Sequence, residues 1–235
     1  MPAQRDARVK PAHDKREICE MPDQLSYDLA SLSAHDRYKL LVSLVIPRPI
    51  ALVTTLGPTG VVNAAPFSFF NIFSEEPPLC VLGLQARPGG GLKDTSAHIR
   101  DRGAFVVNLV DEAIGQQMNQ CAIDFPPEIS EIDAAKLSLL PSEKVAVPRI
   151  AEAPAALECR HYTTLEVSAL RRLAIGEIVH VHVRRELWDT EKMRVDMSQY
   201  RPLARLYGNF YASLSEPFTH VRQSYEEWAA EQKGK

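Results

Sequence analysis

The stretch TTLGPTGVVNAAPFSFFNIFSEEPPLCVLGL, Thr54 to Leu84, decides how this chain is read. Its apolar runs are short and rich in Val, Leu, Ile and Phe, as strands are. GPTG at Gly57–Gly60 places Pro second and Gly fourth, the order that suits a type I turn. PIALVTTL before the turn and VVNAAPFSFFNIF after it therefore pair as a hairpin. Pro66 has no amide to give to a ladder, which puts its strand at a sheet edge or at a bulge. PPLCVLGLQ makes a third strand. Strand formation alone does not explain why Asn63, Pro66, Ser68 and three phenylalanines crowd together between Asn63 and Phe70.

Outward from this stretch the elements stay short. Ser33–Val45 has apolar residues at helical spacing, Ser33 can cap it, and Pro47 and Pro49 end it. DTSAHIRDRG reads as a helix stopping at Gly103, AFVVNLV as a buried strand, and DEAIGQQMNQCAI as helical. Asp124 to Pro154 is proline-rich and irregular with one short helix in EIDAAKL; its role is left open, a lid over a cleft being one hypothesis. AALECRHYTTLEVS and RLAIGEIVHVHVRRELW are long, paired strands, and SYEEWAAEQKGK is a closing helix. About six hairpin-linked strands without βαβ alternation predict a mainly β protein: a closed or partly open antiparallel barrel with short peripheral helices. Residues 1–30 read as an arm, 31–215 as the barrel and 216–235 as a tail.

Bulk properties narrow the function. With 235 residues, 45% hydrophobic and 24% charged, the chain can bury a good core, and a net charge of −3 gives no field to recruit nucleic acid or an anionic membrane. No run of about 18 apolar residues suggests a membrane span, and the charged start has no secretory h-region. Cys19, Cys80, Cys121 and Cys159 are scattered without a CxxC pair, which argues against a zinc or dithiol motif and for a cytoplasmic location.

RPGGGLKDTSAHIR carries the first candidate chemistry. Gly89–Gly91 let backbone approach a ligand, Arg87 and Lys93 bring positive charge, and Asp94 or Thr95 caps a helix whose amino end can seat a phosphate. It is not a Walker A loop, because Leu92 and Asp94 flank the lysine, and the Gly-x-Gly-x-x-Gly spacing is absent. The plainer reading is a flexible loop entering a capped helix. Thr54, Thr55, Asn63 and Ser68 are polar in otherwise apolar strands, and a buried polar group left unpaired costs about 1–3 kcal/mol. A flat heteroaromatic ring with carbonyls would satisfy them, with Phe67 or Phe69 against it; alternatively they face solvent. A ring-binding strand followed by a phosphate-binding loop is what a mononucleotide requires.

RPIALVTTLGPTGVVNAAPFSFFNIFSEEPPLCVLGLQ, then KDTSAHI and GAFVVNLV, resembles the flavin reductase-like, FMN-binding split-barrel family, as do VPRIAEAPAALEC, IGEIVHVHV and PLARLYGNFYA. The resemblance implies a split barrel that dimerises, with FMN at the subunit interface and NAD(P)H as reductant. It places Thr54 and Thr55 along the flavin, and Asn63, Ala65, Pro66, Phe67 and Ser68 at the ring and ribityl chain. Lys93, Asp94 and Thr95 fall at the phosphate, with Arg87 and His98 near, and Arg205, Gly208 and Tyr211 in a C-terminal motif near the cofactor. Asn209 departs from a glycine common there. The family reading implies a flavin reductase, which can serve a monooxygenase partner; a flavoredoxin-like carrier with tightly held FMN and a non-redox ligand-binding protein are the alternatives.

The sequence identifies no catalytic residue, and nicotinamide-to-flavin hydride transfer has no obligatory protein acid or base; His161, like His98, could lie near a cofactor. Glu75 and Glu76 are adjacent and read as a solvated strand end. His180 and His182 share one strand face in VHVHV, as two metal ligands do, but with Val179, Val181 and Val183 expected in the core they read as a polar outer face, and no metal site is expected.

Overall fold

The hairpin around GPTG forms as its turn residues direct: Gly60 donates to Gly57 O at 3.2 Å and Gly57 to Val61 O at 2.8 Å. The structure, a computed structural model, describes residues 23–87, 89–126, 129–214 and 217–233. Most of the arm expected over residues 1–30, with Cys19, lies outside them. The chain divides into two compact units, Met1–Tyr38 and Lys39–Lys235. In the first, Ser33 Oγ accepts from Asp36 N at 3.1 Å, capping the start of the helix α1 (Ala34–Leu44), whose residues from Lys39 on belong to the second, and Arg37 donates to Leu29 O and Leu32 O.

The second unit holds the strands β1 (Arg48–Pro49), β2 (Ala51–Leu56), β3 (Val62–Phe67), β4 (Phe70–Glu75), β5 (Pro78–Gln85), β6 (Ala104–Leu109), β7 (Leu139–Leu140), β8 (Arg149–Ile150), β9 (Ala155–Ser168), β10 (Arg171–Val183), β11 (Trp188–Asp189), β12 (Arg194–Val195), β13 (Leu203–Arg205) and β14 (Tyr211–Ser213). Its helices are α2 (Asp94–Arg102), α3 (Gly115–Gln120), α4 (Glu131–Ala134) and α5 (Tyr225–Lys233). Seven strands form one antiparallel sheet in the order β3-β2-β6-β9-β10-β5-β4, and β1-β13-β14 form a smaller one. The fold is a mainly β split barrel. No helix among the described residues is long and apolar enough to cross a membrane.

VVNAAPFSFFNIF is two strands rather than the single one expected. β3 pairs with β2, Pro66 facing Leu52 at the sheet edge, while β4 pairs with β5 at the opposite edge. Only Ser68 and Phe69 join them, so the two ends of the strand order must lie side by side and the sheet must curl. Gly83 makes the corner possible: its N–H donates to Phe69 O at 2.7 Å, and a Cβ there would sit 2.8 Å from Phe69 Cβ.

β2 is buried on both faces, which fits its unbroken apolar sequence. One face joins Phe70, Leu82, Ile99, Phe105 and Cys159 inside the barrel; Ile50 and Leu52 on the other meet Ile114, Met118, Ile132 and Ile150. The Asp124–Pro154 segment is therefore no loose lid. Ile132, Leu137, Val147, Ile150 and Ala153 are buried in it. Ile150 N donates to Asn108 Oδ1 at 2.8 Å and Thr54 Oγ1 to Pro148 O at 2.7 Å, fastening it to β6 and β2.

The second long strand ends earlier than expected, at Val183, and Arg185–Leu187 turn as a 3-10 helix. A β-bulge between Ile178 and His180 breaks the alternation of faces. Past it His180 lies opposite Glu158 and Val181 opposite Leu157. The expected valine core face nevertheless fails, since Val181 is 56% exposed, while His182 reaches the fully buried Glu158, with Nε2 2.6 Å from Oε1.

Candidate functional site

The turn end of the β2–β3 hairpin lies against α2. Thr55 and Asn63 are directly opposite each other across the strands, so they share a face. Thr55 Oγ1 lies 3.0 Å from His98 Nδ1, and Asn63 Nδ2 donates to Thr95 Oγ1 at 3.2 Å. α2 is positioned by Ile99, buried in the barrel core, and by Arg102, which donates to Gly57 O and Pro58 O of the hairpin turn. It stops where expected, at Gly103, whose φ of 67° is in the left-handed region.

The cap is Lys93, not Asp94 or Thr95. Lys93 adopts extended backbone (φ −72°, ψ 161°) but makes no side-chain capping bond, because its ammonium has only donors. The first intrahelical bond runs from Ala97 N to Lys93 O at 3.0 Å, so the amides of Asp94, Thr95 and Ser96 have no partner within the helix. Their dipoles and the lysine charge sum to a positive, hydrogen-bond-donating corner. Gly89–Gly91 precede it with φ of 83°, 97° and 87°, in a turn open enough that an added Cβ at any of them meets nothing within 4 Å.

The cations here are held loosely. Lys93 Nζ is 3.3 Å from Asp124 with side chains 45% and 94% exposed, and Arg87 pairs with Asp94 at 2.8 Å, also half exposed. Exposed pairs of this kind contribute about 0–1 kcal/mol, so an anion at the helix end can displace them. Burial pushes the His98 ring below its ordinary range, keeping it neutral beside Thr55. Burial, with a smaller push from Asp94, raises the Glu131 carboxyl, whose Oε2 accepts from Ala64 N at 3.3 Å.

Ala65 and Phe67 alternate onto the face of Asn63, Phe67 packing partly on the barrel core, while Pro66 points the other way. Thr54 is not brought to this cluster: its hydroxyl is engaged by Pro148 O and by Asn108 Nδ2 on the opposite face from Thr55. Ser68 Oγ accepts from Arg48 Nε at 3.4 Å. Arg205 stacks on Tyr211, with Cζ 4.6 Å from the ring centroid, and donates to Gly208 O; Tyr211 OH donates to Asn119 Oδ1 at 3.1 Å. This C-terminal bracket is tied to the Ser68 end through Arg48, which pairs with Arg205 across β1 and β13.

Arg48 is the residue that sequence reasoning missed. Only 7% exposed, its guanidinium donates to Val42 O (2.7 Å), Val45 O (2.8 Å), Leu206 O and Ser68. An arginine set between prolines immediately before a wholly apolar strand was its signal. Glu131, on the short helix expected in EIDAAKL, was also missed. Cavities of 530 Å³ near Trp188 and Arg194 and of 520 Å³ near Arg149 and His182 lie apart from the β2–β3–α2 cluster, which is an open face rather than an enclosed pocket.

The family profile described as flavin reductase like domain matches residues 43–208. The chain belongs to that family. The chain is 43% identical over 198 residues to the Bacillus subtilis (strain 168) protein YwrF, covering 82% of this chain and 96% of that one. Among solved structures it is similar to the Pseudomonas fluorescens 2-nitrobenzoate 2-nitroreductase NbaA, with 39% identity, TM-score 0.79, and 86% and 98% of the two chains covered. Nitrilotriacetate monooxygenase component B from Bacillus cereus matches at 36% identity and TM-score 0.80, over 85% and 100%. Flavoredoxin of Desulfovibrio vulgaris (Miyazaki F) shares the fold at TM-score 0.67 and 20% identity, over 84% and 97%.

Proposed function

We propose that the protein is an NAD(P)H-dependent flavin reductase that binds FMN between β3 and the amino end of α2, in a homodimer whose second subunit completes the cleft. The observation that carries this reading is the 3.2 Å hydrogen bond from Asn63 to Thr95, which sets the polar, aromatic edge strand beside the uncapped, positive helix end. The donors fit the cofactor: first-turn amides with no hydrogen-bond partner among the described residues, and Lys93, suit a phosphate. β3 is an edge strand, so its outward backbone groups are not taken by a ladder. Pro66 has no N–H, and the Ala64 N–H is occupied by Glu131, so that edge offers acceptors, which suit a ring imide donor.

Bound FMN supplies the hydride-accepting ring, and transfer from a nicotinamide requires the two rings to stack without an obligatory protein acid or base. The chain's part is to bind and orient. Thr95 and Lys93 hold the phosphate end; Asn63, Ala65, Phe67 and Ser68 flank the ring and side chain. His98, neutral and bonded to Thr55, keeps α2 in register with β2 rather than moving a proton. The likeness to a monooxygenase component B supports a diffusing acceptor or partner oxygenase. Free, buried Cys80, Cys121 and Cys159 support a reducing, cytoplasmic setting.

A second reading, in which FMN stays bound and electrons pass to a small molecule, is favoured by the likeness to a nitroreductase. An absorption spectrum after dialysis, followed by anaerobic NADH and NADPH addition, separates the two. NADH or NADPH oxidation that needs added FMN supports the reductase; retained yellow colour with turnover driven by a nitroarene supports the second reading. Colourless protein to which neither FMN nor FAD binds overturns both.

A further inference from the structure

We propose a second site, away from the Lys93 corner: a divalent transition-metal site of the zinc class, built by His180 and His182 on β10 and Glu158 on β9. The donor atoms of these three side chains all lie within 4.8 Å of one another. The topology explains the convergence. His180 and His182 are two apart on one strand, and His180 is directly opposite Glu158 in the β9–β10 register, just past the bulge. The sequence showed only the His-x-His pair; the cross-strand pairing supplies the third donor.

Glu158 is built as a fixed ligand. It is fully buried, and its two oxygens accept from the backbone amides of Glu143 (2.7 Å), Lys144 (2.6 Å) and Val145 (3.2 Å). Carboxylates that bind metals are held in this way by outer hydrogen bonds. Two imidazoles and one carboxylate suit zinc and its neighbours, whereas calcium and magnesium favour oxygen-only shells.

The spacing needs one adjustment. Tetrahedral donors about 2.0–2.1 Å from zinc are roughly 3.3 Å apart. The 2.6 Å contact between His182 and Glu158 must open by about 0.7 Å, and the wider pairs must close. Both histidines are only partly buried, and their rings already lie side by side with centroids 4.8 Å apart, so rotamer motion can supply this. Three protein donors leave a fourth position. His182 also lines the 520 Å³ cavity, whose wall includes Arg149 and Arg184. Arg184 Nη2 is paired with Asp111 at 2.6 Å, while the Nε atoms of Arg149 and Arg184 are both buried without a hydrogen-bond partner among the described residues. Water or a small anion can enter there as the fourth ligand.

A purely structural role for this cluster requires only the His182–Glu158 hydrogen bond. The metal site also requires His180, whose ring nitrogens make no hydrogen bond among the described residues. The full-length chain, without a polyhistidine tag and stripped with a chelator, is therefore titrated with Co²⁺ (read as visible d–d absorption) and with Zn²⁺ against a chromophoric chelator. One equivalent is expected to bind, raising the melting temperature of the wild-type chain but not of His180→Ala. His180→Ala is expected to weaken binding by more than the roughly 10–100-fold that loss of an outer-shell partner costs, leaving its metal-free melting temperature and its FMN affinity at wild-type values. His182→Gln provides a second variant with the same expected loss. No stoichiometric cobalt band, or equal binding by His180→Ala, overturns the proposal.

Discussion

Replacing Arg48 with methionine keeps much of its bulk and removes a guanidinium that ties three distant segments together. The side chain is 7% exposed and donates to Val42 O, Val45 O, Leu206 O and Ser68 Oγ. Val45 is 62% exposed, so its carbonyl can turn to water; Val42 is buried at 5% and its carbonyl cannot readily do so. Two stranded acceptors at about 1–3 kcal/mol each give a loss of roughly 2–6 kcal/mol. For a domain of this size, with roughly 2–4 °C lost per kcal/mol, melting should fall by about 10 °C. Urea unfolding of the flavin-free protein measures the loss, with the slope against urea unchanged if only the folded state is weakened. Arg48→Lys should recover only part of it, because one ammonium cannot span acceptors on three sides. FMN affinity should also fall in Arg48→Met, since Ser68 loses its anchor. A stability change under about 0.5 kcal/mol, the size of an ordinary surface substitution, would refute the reasoning.

Other predictions follow the same geometry. Lys93→Ala should weaken FMN binding by about 1–3 kcal/mol by calorimetry, and an unchanged affinity would remove Lys93 from the phosphate. Gly176→Ala should destabilise the barrel by at least about 1–3 kcal/mol in the same urea assay, because the new Cβ would sit 2.3 Å from Phe105 Cζ inside the core. His98 is held neutral by burial, below its ordinary value of 6.5, so the unfolded chain takes up its proton first as the pH falls. Its contribution is therefore whole above pH 6.5 and declines as pH drops from there to the depressed folded value. His98→Gln should flatten that part of the stability profile, and an unchanged slope between neutral pH and the acid side would assign it to other groups.

The local grammar of this chain was legible without coordinates. GPTG makes a turn because its residues prefer those dihedrals, Pro66 goes to an edge because it lacks an N–H, and α2 stops at Gly103 because a left-handed residue costs glycine little. The family blocks likewise named the strand and the helix end that the structure places together through Asn63 and Thr95. Tertiary structure alone decided the rest. It sent β3 and β4 to opposite edges of one sheet, so that two residues draw the barrel together. It assigned adjacent Thr54 and Thr55 to different neighbours, and gave Arg48 an acceptor 158 residues away. Its bulge after Ile178 put His180 and His182 on the face of a buried carboxylate. The division has one physical cause: turn type, capping and periodicity depend on residues a few places apart, whereas the partner of a buried polar group is whatever the closed sheet carries to it.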